Sequence, residues 1–166
     1  MGAVTFDQSI AFFDEQFARQ IRDHDFQLNP FETAALPHLR GHVLDFGCGM
    51  GNLALAAARR GCRVTALDAS AAAIEHLRQV AAAEGLGLDA AQVDLRNHPI
   101  DADFDCVVSI GLLMFFDCPT ARRALAQLQA HVKPGGSAIV NVLVEGTTYL
   151  DMFDPGNHCL FERDEL

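Results

Sequence analysis

Apolar positions along the chain follow two rhythms in turn. Short apolar runs at Val43, Leu44 and Phe46, then at 63–67, 88–93, 106–110 and 137–144, have lengths suited to buried strands. Between them the apolar residues return at helical spacing. An alanine-rich stretch opened by Asn52 is stopped by Gly61. A second runs from Ser70 to Glu84 with Ile74, Leu77 and Val80 inward, closed by Gly85. A third starts at Cys118-Pro119 and carries Leu125, Leu128 and Val132. Ahead of all these, Phe6, Ile10, Phe13, Phe17 and Ile21 predict an amphipathic helix, and Thr5-Phe6-Asp7-Gln8 fits a capping box at its start. Such a helix packs against the domain, and its aromatic face is placed to cover a cleft. Asn29 followed by Pro30 reads as a second helix start, leading through Leu36 and Leu39 to Gly41.

Strand and helix thus alternate, and the strands are apolar throughout rather than at every second position. That predicts an α/β fold with a doubly wound, mostly parallel sheet covered on both faces. Ligands of such sheets lie beyond the carboxyl ends of the strands. The expected organisation is one domain over residues 1–166, with an N-terminal helical cover (1–40), a core (41–144) and a C-terminal part (145–166).

The stretch from His42 to Leu55 carries the first chemistry. Apolar strand residues lead to Asp45, then Gly47, Gly49 and Gly51 stand at alternate positions, and Asn52 begins a helix. Glycines in that setting supply positive φ or let a ligand approach the bare backbone, and the helix start offers unpaired N–H groups. A dinucleotide fingerprint wants glycine where Asn52 stands, and a phosphate-binding loop of the Gly-Lys-Ser/Thr type wants a lysine that is missing. The second strand ends at Asp68, 21 residues beyond Gly47. A carboxylate there is placed to accept the hydroxyls of a ribose.

The pattern Asp45-x-Gly47-x-Gly49-x-Gly51 resembles motif I of the class I S-adenosylmethionine-dependent methyltransferases, and the order of the later segments agrees. The resemblance implies a Rossmann-like methyltransferase fold, S-adenosyl-L-methionine as cofactor and S-adenosyl-L-homocysteine as product. It implies that Asp45 faces the ammonium of the methionine moiety while Gly47, Cys48, Gly49, Gly51 and Asn52 lie against the cofactor. Asp68 and Ala69 would meet the ribose, Asp94 and Leu95 the adenine, and Ile110 the methionine end. His131 to Gly136, containing Lys133-Pro134-Gly135-Gly136, looks like the family's turn before its fifth strand. The stretch 109–116 and the tail (149–152 through 161–166) resemble the tellurite-resistance type. Family members add a C-terminal strand pair after that strand, and no convincing pair is visible here. Ser137 to Val144 would then be an exposed edge, in a fragment or in a homodimer joined through it.

Charge narrows the partners. Twelve basic against twenty-two acidic residues give a net charge of −10, which opposes a general grip on nucleic acid or anionic membrane. The five cysteines show no metal-ligand spacing and suggest reduced thiols in a cytoplasmic protein. No metal site and no catalytic residue stand out: His158 is a base by type alone, and Ser109 reads as a strand-end hydrogen bonder. A small-molecule acceptor is expected, such as a thiol or a tellurium or selenium oxyanion, walled by Met114, Phe115, Phe116 and Phe12 or Phe13. The competing readings are a nicotinamide-dependent oxidoreductase and a cofactor-binding module without turnover.

Overall fold

A computed structural model describes residues 6–148, 153 and 158–166, with the side chains of 6–9 outside that description. The capping box at Thr5 and the tail at 149–152 therefore lie outside the described residues. The parallel sheet comprises β1 (His42–Phe46), β2 (Arg63–Asp68), β3 (Leu88–Gln92), β4 (Phe104–Ser109) and β5 (Val132–Val140), in the order β3-β2-β1-β4-β5. The helices are α1 (Phe6–Asp23), α2 (Pro30–Ala35), α3 (Asn52–Arg59), α4 (Ala71–Glu84) and α5 (Cys118–Ala130), with 3-10 turns at Leu36–His38 and Leu113–Phe115.

This is the expected doubly wound sheet, and the strand order reverses between β1 and β4. Strands β1 and β4, at the centre, are the most apolar and the most buried, because helices cover both their faces. Val43, Val64, Ala66, Cys106 and Val108 pack with α3 and α4 on one side. Leu44, Phe46, Val107 and Phe104 pack with α5 and Leu113 on the other.

Local chemistry explains the helix ends. Asn29 caps α2 and Glu32 returns a bond to the Asn29 N–H, a reciprocal box. Ser70 caps α4 and Gly85 closes it in the left-handed region. Asp117 caps α5. Helix α1 does pack against the domain: the Asp14 carboxylate accepts from the Ser70 hydroxyl and the Ala72 N–H, which ties α1 to the start of α4.

Three expectations need correction. The segment 133–136 is not a turn ahead of the last strand. It bulges within β5, since Val132 pairs with Phe104 and the next pair is Ser137 with Cys106. The strand also stops at Val140. Asn141 turns its side chain to accept from the Gly111 N–H, and Leu143–Val144 then forms a separate short ladder, β6, parallel to β7 (Leu160–Phe161). Among the described residues the large sheet ends at β5. Finally, the cysteines are not all thiols. Cys118 and Cys159 form a disulfide, while Cys48, Cys62 and Cys106 are free and buried. Among the described residues, no helix is long and apolar enough to cross a membrane.

Candidate functional site

The turn after β1 is held by backbone. The N–H groups of Gly47 and Cys48 both donate to the Leu67 carbonyl, at 2.8 and 2.9 Å, and Gly51 donates back to Cys48. Gly47, Gly49 and Gly51 all have positive φ. Two of these positions are also closed by neighbours. A Cβ on Gly47 would meet the Leu112 side chain at 2.8 Å, and one on Gly51 would meet Leu77 at 2.5 Å. The spacing read from the sequence is thus a requirement of both conformation and space.

Asp68 completes the turn. Its Oδ2 accepts from the Gly49 N–H at 2.8 Å and its Oδ1 from the Ser70 N–H at 2.9 Å. Burial pushes its carboxyl above the usual range, and the backbone donors pull against that shift.

A cavity of about 280 Å³ opens over this turn at the carboxyl ends of the strands. Its floor is Gly47, Cys48, Gly49, Asn52, Asp68 and Ala69. Its cover is α1, through Ile10, Phe13, Phe17 and Gln20, so the aromatic face does close the cleft. The far wall is Leu112 and Phe115, and the Phe115 ring meets Phe13 edge-on at 5.0 Å between centroids. Phe153 continues the row, 5.0 Å from Phe115. A larger cavity of about 410 Å³ lies elsewhere, between α2 and the outer edge of β5. It contains none of the glycine turn or Asp68, so the smaller cavity is the site.

Of the expected site residues, Gly47, Cys48, Gly49, Asn52, Asp68, Ala69, Leu95 and Ile110 line the same cavity. Gly51 is buried behind the turn against Leu77. Asp45 lies 4 % exposed beneath it, and its carboxyl is pushed up to about 8 by burial, then by the charges of Glu32 and Asp68. Asp94 is off the wall: its carboxylate takes bonds from Arg96 and Asn97, and the Arg96 bond holds it below the usual range. The buried Cys48 thiol is pushed up, by desolvation and then by Asp45 and Asp68, and is no nucleophile. Phe116 and Leu113 are core rather than wall. Ser109 is fully buried with its hydroxyl unpartnered.

Glu32 is a wall residue that sequence reasoning missed. Its signal was the Asn29-x-x-Glu32 spacing of a capping box, which sets the carboxylate at the cleft. Burial raises its carboxyl, against the pull of the Asn29 N–H.

Known proteins share this arrangement. The profile of the methyltransferase domain family matches residues 43–136, from β1 into the bulge of β5. The cypemycin N-terminal methyltransferase of a Streptomyces species is 36% identical over 108 residues, covering 60% of this chain and 40% of that protein. A solved structure described as the conversion of a disulfide bond into a thioacetal group during echinomycin biosynthesis is 32% identical. It superposes with a TM-score of 0.63, covering 73% of this chain and 54% of that one. The structure of TehB from Haemophilus influenzae superposes with a TM-score of 0.65 at 24% identity, covering 70% of this chain and 41% of that one, which shows the shared fold. The chain spans 36% to 40% of the length of the first curated relatives it matches. The match extends over more than half of the chain and takes in the glycine turn, Asp68 and the sheet that holds them, so this chain belongs to the methyltransferase domain family.

Proposed function

We propose that the chain binds S-adenosylmethionine in the cavity over the glycine turn and transfers its methyl group to a small-molecule acceptor. The observation that carries the reading is the joint placement of Gly47, Gly49 and Asp68 on one wall under the aromatic cover of α1.

The residues fit that cofactor. A Cβ on Gly47 would fill space against Leu112, and one on Gly49 would come 3.2 Å from Phe17, so bare backbone faces the cavity there. The Asp68 oxygens each accept one backbone bond, and a carboxylate has about four acceptor positions, which leaves room for two ribose hydroxyls. Leu95, Ile110 and Met50 offer apolar surface to the adenine and thioether portions. Glu32 on the wall offers a carboxylate to the cofactor ammonium. Asp45 beneath the turn is held protonated in the free protein by burial and by the charges of Glu32 and Asp68, and would ionise beside that cation.

Bound S-adenosylmethionine supplies an activated methyl group whose leaving group is a neutral thioether. The chain's task is then alignment and exclusion of water, for which proximity is worth several orders of magnitude in rate. Phe13, Phe17 and Phe115 exclude water over the turn, and Asp68 fixes the register along the strand ends. The likeness to the cypemycin enzyme, a methyltransferase by name, supports the reaction type.

Calorimetric titration tests the reading, with S-adenosylmethionine, S-adenosylhomocysteine and NAD as ligands. Binding of the first two and silence from NAD is the expected result. Binding of NAD alone would overturn it.

A further inference from the structure

We propose that Asp14 is a positioning residue: its carboxylate clasps α1 over the cofactor cavity and, through Ser70, steadies the carboxylate of Asp68. This rests on the S-adenosylmethionine reading above and adds a residue that lies behind the cavity wall rather than on it.

The cover needs something to fix its place. Helix α1 roofs the cavity with Ile10, Phe13 and Phe17, and Phe17 comes within 3.2 Å of where a Cβ on Gly49 would stand. Such contacts are apolar and carry no direction, so they favour closure without setting the position of the helix. Asp14 supplies the direction. It is half-buried on α1, next to Phe13, and its Oδ1 accepts from the Ser70 hydroxyl and, at 3.0 Å, from the Ala72 N–H. Among the described residues, no other hydrogen bond joins α1 to the body of the domain.

The point that Asp14 grips is built for a carboxylate. The first N–H groups of α4 lack acceptors within the helix, and the positive end of its dipole lies there. Ser70 is buried, and its hydroxyl already accepts from the Ala73 N–H as the cap of α4. Its single proton goes to Asp14. Without Asp14 that donor would be left buried and unpaired, which is costly.

The same residue reaches the cofactor wall from its other side. The Ser70 N–H donates to Asp68 Oδ1, and Asp68 Oδ2 accepts from the Gly49 N–H. Asp14, Ser70, Asp68 and Gly49 thus form one connected line of bonds from the cover to the glycine turn. Ser70, Asp68 and Gly49 line the cavity, whereas Asp14 does not. Lifting the cover therefore breaks bonds at Asp14 and loosens the ribose carboxylate in the same event.

The end of α1 is anchored separately. Phe26, just beyond the helix, stacks on His76 of α4 at 5.0 Å with the ring planes 11° apart. Loss of Asp14 would free the aromatic part of the cover while the chain stays attached at Phe26.

The test measures association and dissociation of S-adenosylhomocysteine on the full chain by surface plasmon resonance. Asp14→Ala is expected to release the ligand about tenfold faster, with association no slower. Asp14→Asn keeps the Oδ1 acceptor for both donors and should stay within about twofold of the wild type. Gly85→Ala is the control for stability alone. It strains the left-handed position at the other end of α4, where a Cβ meets open space, and should lower the melting temperature without speeding release.

Unchanged release from Asp14→Ala would overturn the inference. So would equally fast release from Asp14→Asn or from Gly85→Ala. If Asp14→Ala does not fold, hydrogen exchange of the wild type decides: saturation with S-adenosylhomocysteine should slow the amides of α1 and Ala72 together, and an α1 that exchanges as fast with ligand as without it overturns the clasp. Failure of the wild type to bind S-adenosylhomocysteine would refute the cofactor reading, and this inference with it. Binding by the wild type with unaltered release from Asp14→Ala would remove this inference and leave the cofactor reading standing.

Discussion

The two flanks of β1 are built by different rules. Toward β2, five consecutive residue pairs run without a shift, from His42 with Arg63 to Phe46 with Leu67. The turn that follows is held by its own amides, two on the Leu67 carbonyl and one on Asp68. Toward β5, the β4 pairing breaks at a bulge between Phe104 and Cys106, and β5 itself is only half-buried. The site on that flank is made of side chains, Leu112 and Phe115 with Phe153 beyond them. Where backbone makes the site, a single added methyl is a serious intrusion. Where side chains make it, neighbouring shapes can change together, which suits a wall that must differ between acceptors.

Breaking the backbone flank should have the largest effect. Gly51→Val places a Cβ 2.5 Å from Leu77 on a residue with φ of +74°. It should cost about 3 kcal/mol or more and lower the melting temperature by roughly 10 °C. A shift of a degree or two would show that the turn is not the rigid side of the comparison.

Asp68→Ala comes next. It removes the acceptor for the Gly49 and Ser70 N–H groups together with the proposed ribose contact. Cofactor affinity measured by calorimetry should fall about a hundredfold, near 2.7 kcal/mol. An unchanged affinity would detach Asp68 from the cofactor.

Asp45 sharpens the comparison through pH. Its folded pKa of about 8 lies above its ordinary 3.8, so the folded state holds the proton more firmly than the unfolded chain. Stability should therefore fall as pH rises through that window, by up to roughly 1.4 kcal/mol per unit. Asp45→Asn removes the group and should flatten the dependence in denaturant unfolding measured from pH 5 to 8. An equally steep slope in the variant would place the titrating group elsewhere.

The smallest effect belongs to the other flank. Gly135, in the β5 bulge, has φ of +78° but open space where a Cβ would go. Gly135→Ala should cost only about 1 kcal/mol, from backbone strain alone. A loss as large as that of Gly51→Val would erase the distinction between the flanks.

The same division explains what the sequence made legible. Gly47, Gly49, Gly51 and Asp68 could be read because each answers a local demand, on φ, on space or on the end of a strand. The apolar strands were legible because burial on both faces leaves continuous hydrophobic runs. Lys133-Pro134-Gly135-Gly136 has turn composition, yet the chain stays paired on either side of it, since a bulge and a turn ask for the same residues. Phe115 and Phe116 are adjacent and alike, but one faces the cavity and the other the core, a choice made by the 3-10 turn at Leu113–Phe115. Asp14 reaching Ser70 and the Cys118–Cys159 bond join positions far apart in the chain, and no local rhythm announces such contacts.

The Cys118–Cys159 bond closes α5, β5 and β6 into a covalent ring spanning 41 positions. The exposed pair Glu145-Gly146 lies on that ring. A protease that cuts there opens the ring without releasing a piece. The nicked molecule would keep its intact size on a gel until a reductant is added, and only then part into two fragments.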